Sequence, residues 1–421
     1  MEAPVCADLP RWLEYIARQS WLDIDMGLDR MAIMVERMGL AQPARKVLTV
    51  AGTNGKGSTC MAAEALALAS GLRVGATLSP HVVRINERVR LNGAEVGDTE
   101  LCAAFAAVEA QRDDLPLTYF EYSVLATLYL FVQQPLDLAI LEIGLGGRLD
   151  AFNIIDADVA VVTSIGLDHQ AILGETREAI GAEKAGIFRA GQRVVLGADM
   201  PDSVLGACRA LGMVPLHQER DAAVSHHPDQ TWSLTLEGGQ QLANLPLGTC
   251  APSNIAMAAL ALQEIADVTR LAEVAGQIRL PGRLQRVEWC GRTLWLDVAH
   301  NPDGVSFLSE QMALRGIQPD LICCAMLKDK DHLGVKNAMT AYTQAPWLLT
   351  DSFGERSYPA VDLATSMNME ATCPTVDQDL GVWETLRSAS KEGDVILAFG
   401  SFSIVEQLLS TPSADKLPAS G

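Results

Sequence analysis

Residues 52–59 read Gly-Thr-Asn-Gly-Lys-Gly-Ser-Thr, with three glycines and a lysine within seven residues. Glycines let successive backbone N–H groups converge on one centre, and a lysine adds positive charge, a combination that suits phosphate oxygens. The run Val47-Leu48-Thr49-Val50 before it reads as a buried strand, and residues 58–70 read as a helix stopped by Gly71. Strand, glycine turn and helix N-terminus together aim amides and the positive end of the helix dipole at an anion. Asn54, Gly55, Lys56, Gly57 and Ser58 are therefore candidate ligands for the triphosphate of ATP, with Lys56 neutralising charge. Ser58 or Thr59 would offer a hydroxyl to the nucleotide or its metal. Gly57 separates lysine from serine, whereas the common P-loop has lysine directly before Ser/Thr, so the loop is a variant unlike that of GTPases.

Two more stretches place chemistry at strand ends. Glu142 opens Glu-Ile-Gly-Leu-Gly-Gly-Arg-Leu-Asp (142–150), and His169 closes Ser-Ile-Gly-Leu-Asp-His (164–169). A carboxylate and an imidazole beside a phosphate loop can hold Mg²⁺, which takes few protein ligands and keeps phosphate and water oxygens. Ser79-Pro80-His81 follows a short strand near residues 73–78, and three arginines (Arg84, Arg88, Arg90) fall within the next stretch. On an acidic chain that basic cluster is a candidate seat for an anionic substrate; the competing reading is a solvated face with intrachain ion pairs.

These residues need a scaffold. Apolar runs at 138–143 and 159–163 are continuous rather than alternating, which implies strands covered on both faces and hence a parallel sheet with flanking helices. Residues 215–245 are polar and read as a turn-rich excursion, and residues 252–279 are helical in composition. A second α/β series follows, with runs at 294–298, 321–325, 347–350 and 395–399. The expected fold is α/β: a P-loop-type, mostly parallel sheet over residues 1–281, then a smaller Rossmann-like domain over 282–421.

The chain has 421 residues, 49% of them hydrophobic, enough for two or three domains with dry cores. Its formal net charge of −20 disfavours a polyphosphate backbone and excludes nucleic acid as a partner. No apolar run reaches the roughly 20 residues of a membrane span, and the N-terminus lacks the order of a signal peptide. Nine cysteines include no CxxC pair, and Cys323-Cys324 sits in an apolar run, so reduced thiols and a cytoplasmic location are expected.

Taken together the motifs resemble the folylpolyglutamate synthase family, relatives of the Mur ligases, in its bacterial bifunctional dihydrofolate synthase branch. The resemblance runs along nearly the whole chain. It includes Asp25-Met26-Gly27-Leu28, the phosphate loop, Ser79-Pro80-His81, Thr118-Tyr119-Phe120-Glu121, the 142–150 run with Asn153, and Asp168-His169. It continues through Glu183-Lys184-Ala185-Gly186-Ile187, Pro281-Gly282-Arg283, residues 297–302, Asp329-Lys330-Asp331 and Gly400-Ser401-Phe402. It implies an ATP-dependent amide ligase that phosphorylates a substrate carboxylate and lets the amine of L-glutamate attack the acyl phosphate. Implied substrates are dihydropteroate and tetrahydrofolates, and a monomer is expected.

Residue by residue, the family pattern makes Ser79, Glu142 and His169 metal ligands, with a monovalent cation as a further candidate ligand of the chain. Asn254, Arg283 and Asp297 would complete the ATP site. His300 and Ser401 match positions near the incoming glutamate. Lys184 matches the lysine that family members carbamylate, which turns a cation into a carboxylate-like metal ligand. Asp25, Met26, Gly27, Phe120, Glu121, Leu149 and Ala151 match the dihydropteroate pocket. A Mur ligase acting on a UDP-linked precursor, a P-loop switch without ligase activity and a monofunctional folylpolyglutamate synthase are the competing readings.

Overall fold

The computed structural model describes residues 8–19, 26–354, 356–369 and 381–410, together with the backbone of 416–418. The chain divides into two compact units, Met1–Ile278 and Arg279–Gly421.

The first unit is built on eight strands: β1 (Lys46–Ala51), β2 (Val74–Thr77), β3 (Val89–Leu91), β4 (Ala94–Glu95), β5 (Leu138–Glu142), β6 (Val159–Val162), β7 (Arg193–Leu196) and β8 (Leu216–His217). Their order is β4-β3-β2-β5-β1-β6-β7-β8. The strands from β2 to β8 run parallel, and β3 and β4 form an antiparallel edge. Every residue of β2, β5 and β6 is buried, which is why their sequences are apolar apart from Thr77 and Glu142 at the ends of β2 and β5. The edge hairpin turns through Asn92-Gly93, both with positive φ, as a two-residue turn between twisted strands requires.

Helices α1 (Leu9–Ala17), α2 (Asp29–Met38), α3 (Lys56–Ala69), α4 (Asp98–Arg112) and α5 (Tyr119–Val132) pack around this sheet and one another. A half-buried carboxylate joins three of them. Glu109 of α4 accepts hydrogen bonds from Tyr15 (2.8 Å) of α1, Tyr122 (2.6 Å) of α5 and its own neighbour Arg112 (2.7 Å). The N-terminal helix is thereby fixed to the body whose other end shapes the site.

Residues 215–245 do not form the expected turn-rich excursion. Strands β9 (Ala222–His226), β10 (Thr231–Leu236) and β11 (Gln241–Pro246) make a three-stranded antiparallel sheet. Trp232, Leu234, Leu236 and Leu245 are buried in it, and most of the polar side chains, though not Ser233, are at least partly exposed. Short strands with one wet face carry only two or three apolar positions each, so the period of two was masked. The helical composition of 252–279 also resolves differently. One helix, Pro252–Leu262, is followed by single turns, beginning where Asp267 accepts from the Thr269 N–H and hydroxyl.

The second unit holds a sheet of β12 (Gln285–Trp289), β13 (Arg292–Leu296), β14 (Leu321–Cys324), β15 (Trp347–Leu349), β16 (Val395–Phe399) and β17 (Lys416–Pro418), ordered β15-β14-β16-β13-β12-β17. Strands β13 to β15 and β16 pair in parallel, and β12 is antiparallel to both its neighbours. The strand expected at 294–298 starts two residues earlier and ends at Leu296, which frees Asp297 to Asn301 as a loop.

Candidate active site

In parallel sheets ligands gather beyond the carboxyl ends of the strands. The phosphate loop leaves β1 between β5 and β6, with Val50 level with Glu142. Helix α3 begins at Lys56, two residues before the expected start, with Gly55 as its N-cap at φ 88° and no side chain capping the first turn. Its opening amides are left to a ligand. Gly52 sits at φ 148°, and a Cβ there would lie 1.9 Å from Thr163 Oγ1, so only glycine fits. The loop is laced to the end of β6: Asn54 N–H donates to Ser164 Oγ at 3.0 Å, and Thr163 Oγ1 donates to Asn54 O at 2.6 Å. Thr59 Oγ1 is spent on Gly55 O at 3.0 Å, which leaves Ser58 as the hydroxyl for a nucleotide. Lys56 Nζ rests on Gly52 O (3.0 Å) and Thr53 O (3.3 Å). Asn254, third residue of helix Pro252–Leu262, directs its Oδ1 at Gly55; a Cβ on that glycine would come within 2.9 Å.

The neighbouring strand ends supply oxygen. Thr77 Oγ1 accepts from the Glu142 N–H at 2.7 Å, and the Ser79 N–H donates to Glu142 Oε2 at 2.8 Å. Glu142 is buried, and Ser79 Oγ is buried with no hydrogen-bond partner. A bare hydroxyl beside a buried carboxylate fits a hard divalent cation such as Mg²⁺. His169 stands beyond β6 in the left-handed region at φ 52°, at the mouth of the short turn 170–173. Among the described residues no group of three or more His, Cys, Asp and Glu could hold a metal, so a cation here would rely on serine, one carboxylate and one imidazole.

The run after β5 locks onto the helix Arg177–Ala185. The Arg148 N–H donates to Glu183 O at 2.8 Å, and a Cβ on Gly147 would meet Lys184 Cα at 2.8 Å. That contact explains why the 142–150 run and the Glu-Lys-Ala-Gly run are both rich in small residues. Lys184 is buried, and burial together with the Lys56 charge pulls its pKa from 10.5 to about 7, against the opposing charges of Asp168 and Asp150. Asp150 accepts three backbone N–H groups, from Gly144, Leu145 and Phe152. Burial nevertheless raises its pKa from 3.8 to about 6.

A cavity of about 240 Å³ opens beside these residues. Met26, Gly27, Phe120, Glu121, Leu149 and Ala151 all line it. Asp25 lies outside the described residues. Glu121 is committed to structure as well: it accepts from the Thr118 N–H at 2.8 Å in the capping box of α5 and pairs with Arg30 at 3.1 Å. Of the three arginines offered as a seat for an anionic substrate, only Arg88 lines the cavity, and Asp150, which was not picked out as a ligand, lines it too. The signal for Asp150 was present, since it ends a run read for its first residue.

In the second unit Asp297 follows β13 and is buried, accepting from the Leu284 N–H (2.8 Å) and the Ala299 N–H (2.8 Å). Burial raises its pKa, against the charge of Arg283 and these amides. His300 Nδ1 lies 2.7 Å from Val298 O, and because a carbonyl only accepts, Nδ1 carries a proton in this bond. Phe402 links two predicted residues, with Arg283 over its ring at 5.3 Å and the His300 ring at 6.4 Å. Ser401, just before it, is buried against Ser403 at 2.8 Å. Nothing in the sequence marked Phe402 as more than the end of a motif.

Comparison with known proteins identifies the family. Residues 50–210 match the Mur ligase middle domain, and residues 282–402 match the Mur ligase glutamate ligase domain. The dihydrofolate synthase/folylpolyglutamate synthase of Escherichia coli (strain K12) is 40% identical over 408 residues, covering 95% of this chain and 94% of that protein. The structure of E. coli FolC in complex with DHPP and ADP superposes with a TM-score of 0.89 at 37% identity, covering 96% of this chain and 97% of that one. The Yersinia pestis bifunctional folylpolyglutamate synthase/dihydrofolate synthase complexed with AMPPNP and Mn ion gives a TM-score of 0.88 at 38% identity, covering 96% and 98%. With the fold, the strand-end cluster and relatives of full length in agreement, this chain belongs to the dihydrofolate synthase/folylpolyglutamate synthase family of Mur ligases.

Proposed function

We propose that this chain is an ATP-dependent ligase that joins L-glutamate to dihydropteroate, giving dihydrofolate, and to the γ-carboxylate of folates, giving polyglutamates. The observation that carries this reading is the sharing of one set of strand ends by a phosphate loop, the unbonded Ser79 hydroxyl beside the buried Glu142 carboxylate, and a largely apolar cavity. Phosphate binding and a flat organic acid are thereby brought to the same place, which carboxylate activation requires.

The chemistry divides among the residues as follows. The amides of α3, with Lys56 and Ser58, hold the triphosphate and draw negative charge off the transferring phosphoryl group. Ser79, Glu142 and His169 would hold Mg²⁺, whose role is to neutralise phosphate charge. Phe120, Leu149 and Ala151 slot the pterin ring, with Asp150 and Glu121 at its edges. A substrate carboxylate oxygen attacks the γ-phosphorus, ADP departs, and the glutamate amine displaces phosphate from the acyl phosphate. His300, held by its Nδ1 bond to Val298 O, and Ser401 are assigned to the incoming glutamate. Arg283, Asp297 and Asn254 are assigned to the nucleotide. The described cysteines are free thiols, which supports a reducing, cytoplasmic setting.

The test is a coupled phosphate-release assay with MgATP. Release is expected to depend jointly on dihydropteroate and L-glutamate and to be accompanied by dihydrofolate. Phosphate release indifferent to both would leave only a nucleotide hydrolase. A response to a UDP-linked peptide instead would make it a cell-wall ligase.

A further inference from the structure

The three arginines after Ser79-Pro80-His81 meet three different fates. Arg84 pairs with Glu95 at 3.0 Å on the surface, and Arg90 pairs with the buried Glu64 at 2.8 Å. Arg88 forms no ion pair among the described residues and lines the cavity, as Ser79 and Asp150 do. Its Nε donates to His81 Nδ1 at 2.8 Å, and its guanidinium lies 6.0 Å from the centre of the Tyr119 ring. One donor is thus used to fix its direction, and neither terminal amino group has an acceptor among the described residues. Glu142 reaches Arg88 only through space.

A guanidinium is charged at every working pH, and a charge at the wall of a mostly apolar cavity is costly until an anion completes it. Its fork of N–H groups matches a carboxylate bidentately. Arg88 shares the cavity lining with Ser79, and its bond to His81 ties it to the residue two places after Ser79, the side from which the carboxylate would meet the γ-phosphate.

We propose that Arg88 is the carboxylate clamp of the cavity, gripping the carboxylate of the bound pterin acid through its two terminal amino groups, with His81 as the residue that aims it. This rests on the pterin-acid reading of the site. Arg88 would hold the group that reacts, while the apolar slot would hold the ring.

The test pairs a protein change with a ligand change. Dihydropteroate and its carboxamide analogue are titrated into wild-type, Arg88→Met, Arg88→Lys and His81→Phe chains, with circular dichroism as the fold control. Wild type is expected to prefer the carboxylate by about 10- to 100-fold, the worth of charged hydrogen bonds. Arg88→Met should abolish that preference while leaving carboxamide affinity nearly intact. Arg88→Lys and His81→Phe should fall between, and His81→Gln, which restores an acceptor, should recover part of the loss. An Arg88→Met chain that keeps the preference, or loses both ligands equally, overturns the proposal. If wild type binds both ligands equally well, the clamp alone is wrong; if it binds neither, the pterin reading falls and the clamp with it.

Discussion

Lys56→Ala is expected to lower the rate of amide formation by at least about 10³-fold, the scale on which removed charge stabilisers act in group transfer. Lys56 now rests on Gly52 O and Thr53 O, two carbonyls of its own loop. These bonds hold the ammonium above the opening turn of α3, where phosphate oxygens would replace the carbonyls as partners. The side chain is part-buried and makes no ion pair among the described residues, so its loss should cost little stability. The melting temperature and circular dichroism spectrum should stay near wild type while turnover disappears. A variant with a near-normal rate contradicts the assignment of the loop.

The second large effect is expected at Lys184. A lysine reacts with carbon dioxide only as the neutral amine, and burial beside Lys56 brings its pKa to about 7. The sign follows from that value. Above pH 7 the buried amine is mostly neutral and can carry a carbamate; as pH falls through 7 it protonates and the carbamate is lost. Activity in buffers free of carbon dioxide should therefore decline most steeply below pH 7 and return on adding bicarbonate. Isotope-labelled bicarbonate should give a carbamate carbon signal by NMR that Lys184→Ala lacks. Lys184→Ala should lose about 10²-fold in kcat/KM, with small carboxylic acids restoring part of it. Absence of the carbamate signal at pH 8 in an active enzyme would overturn the modification. The two lysines are also linked. Removing the Lys56 charge should raise the Lys184 pKa and move carbamate formation to higher pH.

How much of this was legible depends on how local each constraint is. The phosphate loop was readable because three glycines and a lysine crowd into seven residues between strand and helix, although the neighbours that demand Gly52 and Gly55, Thr163 and Asn254, lie far along the chain. Parallel strands were readable because burial on both faces forces unbroken apolar runs, as in Leu138–Glu142. Gly147 was readable as a motif and not as a contact, because its reason is Lys184 on a distant helix. The fate of the three arginines was undecidable from spacing: Arg90 is claimed by Glu64 and Arg84 by Glu95, and only that pairing singles out Arg88. The sheet β9–β11 was missed because its buried positions are few and its outer face is polar. Phe402 gained meaning only from the rings and guanidinium that surround it.

The central claim is that ATP is spent on activating the carboxylate of the pterin acid. Dihydropteroate carrying heavy oxygen in its carboxylate tests it directly, with the released phosphate analysed by mass spectrometry after turnover with MgATP and L-glutamate. Passage through an acyl phosphate requires one carboxylate oxygen to leave with phosphorus, so heavy oxygen should appear in the phosphate, one atom per amide formed. Phosphate without the label, alongside labelled amide, would contradict the account.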